Sequence, residues 1–147
     1  MSREGRLRIR SLRPYLPRSL GRADLITTNK KSMETPIVYI AGPVSGQPDL
    51  NREAFYEADQ ALKAKGYFTR NPHEFCMDIN STESDDPKFY RRGIEVLTRD
   101  CTDIVMLEGW QYSDGAKIEH LVATLCRMRI HYGTKQLIDY FSNDEEG

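Results

Sequence analysis

No apolar run in the 147-residue chain approaches the roughly 18 to 20 residues that a membrane-crossing helix needs. The N-terminus lacks the apolar stretch of a secretory signal. Three cysteines, Cys76, Cys101 and Cys126, are too few and too scattered for a disulfide framework, so a reducing, cytoplasmic setting is expected. Tryptophan occurs once, and there is no internal repeat or low-complexity block. Neither charge sign dominates. The net is −1, which argues against a strongly basic nucleic-acid binder. What is present, 39% hydrophobic and 29% charged residues, is a globular composition, and the length suits one domain with a sizeable core.

The small net charge hides a split. Residues 1–32 hold nine Lys or Arg against Glu4 and Asp24, whereas the remainder holds 12 basic and 20 acidic residues. That shift sets a boundary near Met33 and predicts a basic, disordered leader over 1–34 and a folded domain over 35–147. The leader reads as a targeting peptide, as an arm that touches nucleic acid, or as a plain extension with Met33 as the working start. Pro14 and Pro17 cut any helix built on Leu7, Ile9, Leu12 and Leu16.

From Thr35 the pattern is that of alternating elements. Ile37–Ala41 reads as a buried strand ended by Gly42-Pro43. Phe55, Ala58 and Leu62 recur at helical spacing between Asn51 and Lys65, with Asn51 or Asp49 as cap and Gly66 as stop. Tyr67–Thr69 is a second strand, and Asn80–Asp86 a polar, acidic loop. Asp86-Pro87 starts a helix with Tyr90, Ile94, Leu97 and Cys101 on one face. Asp103–Leu107 is a third strand, apolar enough for burial on both sides. A helix then runs to Gly133 with Ile118, Leu121 or Val122, Leu125 and Met128 as its core face. Gln136–Tyr140 is a last strand. This order predicts a doubly wound parallel α/β sheet of four to five strands. Its site would lie beyond the carboxyl ends of the strands, where the Gly42–Gly46, Asn71–Phe75 and Gly109–Gly115 loops gather.

Three groups of residues carry chemistry. Gly42, Pro43, Ser45 and Gly46 form a loop whose N–H groups can face an anion, although it is neither a P-loop nor a dinucleotide fingerprint. Ser113 can cap the helix, Gly115 lets a ligand approach its backbone, and Glu119 follows about two turns after the cap. Glu95, Asp100 and Asp103 lie before or on the third strand, and any of them can serve as acid or base partner to Glu119. His73 and Cys76 are three apart without a second pair, and His120 and His131 fit no zinc spacing, so no metal is expected. Cys101 and Cys126 read as core.

Taken together, Val38–Gly46, Asn71-Pro72, Asp103–Trp110 and Ser113-x-Gly115-Ala116-x-x-Glu119 resemble the nucleoside 2-deoxyribosyltransferase superfamily. The resemblance covers roughly Pro36 to Ile138. It is nearest to a small branch common in phage and bacterial genomes, related to 2′-deoxynucleoside 5′-phosphate N-hydrolases and CMP hydrolases. The resemblance implies a flavodoxin-like fold and cleavage of the N-glycosidic bond of a nucleoside or nucleoside 5′-monophosphate, without a cofactor. It casts Glu119 as nucleophile, Tyr39 as the group that orients it or bonds the sugar, and Ser113 as a 5′-phosphate ligand, which favours hydrolysis over transfer. The substrate-binding set would comprise Gly42, Pro43, Ser45, Gly46, Asn71, Trp110, Ser113 and Gly115, with Arg91 or Arg92 as further phosphate ligands. A homodimer is implied as well.

One position departs from the pattern. Relatives carry an aspartate directly after an arginine pair, to protonate the leaving base, whereas Arg91-Arg92 is followed here by Gly93. Glu95, Asp100 or Asp103 takes that role, or the site has lost its acid and the protein is a nucleotide-binding or nucleotide-sequestering module.

Overall fold

The structure is a computed structural model that describes residues 34–146, with side chains to Asn143. The basic leader predicted for 1–34 lies, but for Glu34, outside the described residues.

The elements in chain order are β1 (Ile37–Ala41), α1 (Arg52–Ala64), β2 (Phe68–Arg70), α2 (Pro72–Phe75), α3 (Pro87–Asp100), β3 (Asp103–Met106), α4 (Asp114–Leu125), β4 (Arg129–Tyr132) and α5 (Thr134–Glu146). All strand pairs are parallel, and the sheet order is β2-β1-β3-β4. The two central strands are the most apolar, as strands covered on both faces must be. Alternation sends their side chains to opposite layers. Val38, Ile40 and Val105 pack with Phe55 and Leu62 of α1 and Leu137 of α5. Tyr39, Ala41, Ile104 and Met106 pack with Val96 and Leu97 of α3 and Ala116 and Ala123 of α4. The result is a flavodoxin-like, doubly wound α/β fold with helices on both faces.

Five sequence-based expectations need correction. The last strand is Arg129–Tyr132, and Gln136–Tyr140 lies in helix α5. A five-residue apolar window does not separate the two periods. Leu137, Ile138 and Phe141, all packed on one core layer, follow the helical one.

Helix α4 stops at Leu125, well before Gly133. Arg127 adopts φ 57°, its N–H donates to the Thr124 carbonyl, and the Met128 N–H donates to the Ala123 carbonyl. This is a Schellman stop in which arginine stands where glycine is usual, so no punctuation marks it.

The face of α4 is also rotated. Ala116 and Ala123 are buried, while Ile118, Leu121 and Leu125 are 51%, 52% and 72% exposed. In α3, Tyr90 is exposed, and Gly93, Val96 and Leu97 form the buried face. Cys101 is half-buried and Cys126 exposed, so the second is not core. Among the described residues, no helix is long and apolar enough to cross a membrane.

Asp103 opens β3 at the amino-terminal edge of the sheet, fully buried. Its carboxylate accepts from Arg129 Nε and Nη2 at 3.0 Å each, from His131 Nε2 at 2.8 Å and from Thr102 Oγ1 at 2.6 Å. Burial alone would raise this carboxyl. The bonds from His131, Arg129 and Thr102 outweigh it and hold the group below the usual carboxylate range. A depressed folded-state pKa stabilises the fold in full above the unfolded value near ~3.9, and the contribution is lost as pH falls through the folded value. Asp103→Ala is therefore expected to cost about 3 kcal/mol in urea unfolding at pH 7, because two basic groups lose a buried partner. The deficit should shrink on acidification below pH 4. Replacing the exposed Glu95, paired with Arg99 (3.2 Å) on the surface, should leave the midpoint unchanged.

Candidate functional site

A cleft of about 830 Å³ opens where β1, β2 and β3 end. At its base the Tyr39 hydroxyl, from the middle of β1, donates to Glu119 Oε2 of α4 at 2.6 Å. The alternation that points Tyr39 toward the α3–α4 layer delivers the phenol, and the first turns of α4 deliver the carboxylate.

Gly93 is what makes room for the pair. A Cβ there would lie 2.7 Å from Tyr39 Oη and 3.0 Å from Glu119 Oε2. Any side chain at this position, aspartate included, would displace the phenol–carboxylate contact. Gly115 is similarly required, since a Cβ would sit 2.9 Å from the ring of Tyr90.

The electrostatics follow from enclosure. Burial pushes the Glu119 carboxyl up to about 7, against the opposing pull of the Tyr39 hydroxyl bond. Burial, and then Glu119 itself, raises the Tyr39 phenol well above its ordinary value, so it remains a donor. Cys76, also in the cleft wall, is pushed by burial up to about 11 and stays a neutral thiol at physiological pH.

Of the residues expected at the site, Tyr39, Gly42, Ser45, Ser113, Gly115 and Glu119 line the cleft together. Ser113 caps α4 by accepting from the Ala116 N–H at 3.2 Å. The others do not line it. Glu95 is exposed on α3, Asp100 is tied to Arg99 (2.8 Å), and Asp103 lies at the opposite edge of the sheet. None of the three acids faces Glu119. Pro43 is buried with its carbonyl accepting from Asn51 Nδ2, and Gly46 is exposed in its turn. Asn71 caps α2 through the His73 N–H. Trp110 stacks on His120 with ring centroids 4.3 Å apart. Arg92 is occupied by Asp78 at 2.8 Å and the Phe75 carbonyl at 2.6 Å, and Arg91 faces a separate surface hollow. Among the described residues, no group of three or more His, Cys, Asp or Glu is placed to hold a metal.

Arg52 and His73 also line the cleft; Arg52 was not expected there, and His73 was weighed only as a metal ligand within the Asn71–Phe75 loop. Asn51 does not cap α1 with its side chain. Instead Asp49, Leu50 and Asn51 all take left-handed backbone angles, φ 50°, 53° and 58°. Such angles cost roughly 1–2 kcal/mol each for residues with a Cβ. The Asn51–Pro43 bond and a 3.0 Å contact of His73 Nε2 with the Leu50 carbonyl hold the turn, and it presents Arg52 at the cleft. No spacing rule announces three successive left-handed residues without glycine. The acidic loop also closes one side of the cleft, with Ser84 Oγ donating to Ser45 Oγ at 2.9 Å.

The molecule is thus a doubly wound α/β protein in which a buried phenol holds a half-buried carboxylate at the carboxyl edge of its sheet. It belongs to the family described as a domain of unknown function (DUF4406), which matches residues 36–132. No curated protein matches the chain.

The raised carboxyl has a thermodynamic signature. A folded-state pKa near 7 against an unfolded value near 4.5 means that the fold binds the proton more tightly. Stability is then highest below pH 4.5 with respect to this group and declines as pH rises toward 7. Glu119→Gln should remove that decline and be more stable than the parent at pH 8, by up to roughly 3 kcal/mol. The two should converge near pH 4.5 in pH-resolved thermal melts.

Proposed function

We propose that the protein cleaves the N-glycosidic bond of a nucleoside or nucleoside 5′-monophosphate, with Glu119 as nucleophile. The observation that carries this reading is the Glu119–Tyr39 contact at the floor of a cleft large enough for a nucleotide. Once ionised, Glu119 attacks the anomeric carbon. A C–O ester bond forms while the C–N bond breaks and its electron pair leaves with the base. The oxocarbenium-like transition state places positive charge beside the carboxylate, which stabilises it as well as trapping it. Tyr39 holds one carboxylate oxygen and leaves the other for the reaction. Water then releases the sugar, so hydrolysis is the expected outcome and no cofactor is invoked. A cytoplasmic setting, rich in free nucleotides, suits this chemistry.

A specific observation favours a second reading. None of Glu95, Asp100 and Asp103 lines the cleft as a leaving-group donor, Gly93 leaves no space for an acid on α3, and the acids that do line it are Glu83, Asp85 and Asp114 of the wall. A module that binds and sequesters a nucleotide needs none. Free-base release from a panel of ribo- and deoxyribonucleosides and their 5′-monophosphates separates the two. The expected result is release by the parent, with kcat/KM rising with pH through about 7 as Glu119 ionises. Loss on Glu119→Ala is expected on the order of 1,000-fold or more. Binding of ligand without release by the parent would establish the sequestering module instead.

A homodimer belongs to the same proposal. Asp114, Ile118, Leu121 and Leu125 recur on α4 at intervals of four, three and four, the seam of a helix pair, and this chain leaves the three apolar members exposed. Light scattering should give twice the monomer mass, and Leu121→Asp should halve it. A monomeric parent would sink the pairing.

A further inference from the structure

The cleft is electrostatically lopsided. On the α3–α4 side, Asp85 and Asp114 flank Tyr90. Burial first, and then these two carboxylates, push its phenol up, and Ser113, which precedes Asp114 in the chain, lines the same cleft. On the other side, where β1 and β2 end, stand Arg52 and His73. Arg52 is the only Lys or Arg that lines the cleft among the described residues.

Its setting keeps the charge available. His73 Nε2 faces the Leu50 carbonyl at 3.0 Å, an acceptor only, so that nitrogen carries the ring proton. The unprotonated Nδ1 then faces Arg52 Nη1 at 3.4 Å and accepts from it. Burial, and then Arg52 itself, lowers the His73 pKa and keeps the ring neutral. A neutral acceptor steers the guanidinium without cancelling its charge, which a carboxylate in the same place would do. Asp49 approaches Arg52 Nε at 3.5 Å, but it is 80% exposed and a weak competitor in water. The rest of the fork remains for a ligand. Phe55 packs edge-on against the His73 ring at 4.9 Å and fixes its plane. Phe75, two residues on, packs against Tyr39 at 5.7 Å, so short helix α2 links Arg52's support to the reacting pair.

We propose that Arg52, positioned by His73, is the specificity-determining residue of the cleft, and that it selects ligands bearing a phosphate-type oxyanion by pairing with that group on the β2 side. This rests on the nucleotide reading above and changes one part of it. A phosphate at Ser113 would meet the like charges of Asp85 and Asp114, whereas at Arg52 it meets the opposite charge and a planar fork suited to two oxygens. The acidic side is left for hydroxyl or amino donors of the same ligand.

Calorimetric titration of each nucleoside of the panel and its 5′-monophosphate tests this, together with inorganic phosphate alone followed by phosphorus NMR. The parent should prefer the monophosphate. Arg52→Ala should weaken the monophosphate about 10- to 100-fold, as expected for loss of a charged hydrogen-bonded pair, and leave the nucleoside unchanged. His73→Ala should give a smaller loss, which His73→Gln, restoring an acceptor, recovers. Arg91→Ala, outside the cleft, should change neither ligand. The proposal is overturned if Arg52→Ala keeps the parent's preference, or if the parent binds monophosphate no better than nucleoside and does not bind phosphate. Should the parent release no base while Arg52→Ala still abolishes phosphate binding, the glycosidase reading falls and the assignment of Arg52 stands.

Discussion

One hydrogen bond, Tyr39 to Glu119, sets the terms for the rest of the site. It joins the central strand to α4 across the sheet's carboxyl edge and needs three elements to meet. β1 must point an aromatic hydroxyl toward the α3–α4 layer. α4 must turn its carboxylate, rather than its apolar stripe, inward. α3 must pass close enough that only glycine fits at position 93. The same requirement rotates α4 and leaves Ile118, Leu121 and Leu125 outside. The exposed stripe and the inward-turned carboxylate are therefore two sides of one packing decision.

Gly93 shows why a departure from the pattern that a resemblance implies is read best in place. In the sequence it is a missing acid. In the structure it is a missing side chain, and the space is filled by the pair it admits. A shift of the acid to Glu95 fails for a geometric reason: two residues along a helix turn a side chain by about 200°. Asp103 fails because a strand's first residue lies at the wrong edge of a parallel sheet. Both failures follow from element geometry, and both leave Glu119 intact.

The alternation of apolar runs made the strand–helix order, the parallel sheet and the position of the cleft legible, because β1 and β3 are short, apolar and closed by glycine. Caps at Ser113 and Asp86 were legible for the same local reason. What escaped reading depends on contacts distant in the chain or on backbone angles without a residue signature. Arg127 ends α4 in a conformation that sequence rules reserve for glycine. The left-handed run Asp49–Asn51 is held by Pro43 and His73, and without those partners it reads as an ordinary cap. Arg52 went unnoticed because nothing nearby in sequence marks it. Arg91 and Arg92 drew attention as a pair, yet one is already neutralised by Asp78 and the other lies outside the cleft.

Two carboxylates at opposite ends of the sheet, Asp103 buried and Glu119 half-buried, show how environment assigns their roles. Asp103 is surrounded by four donors, three of them from the basic side chains Arg129 and His131, and is held below the usual range. It ties β3 to β4 and has nothing left to offer a ligand. Glu119 has one neutral donor and an open side toward the cleft, and enclosure raises it to about 7. Its ionised form is poorly satisfied by the protein, so a partner that brings positive charge to it gains more than it would from a solvated carboxylate. In the proposed reaction, a transition state with charge at the anomeric carbon is such a partner. A fold that retains an under-solvated acid here, while satisfying every lone pair it can at Asp103, gives up stability at the edge where a ligand can return it.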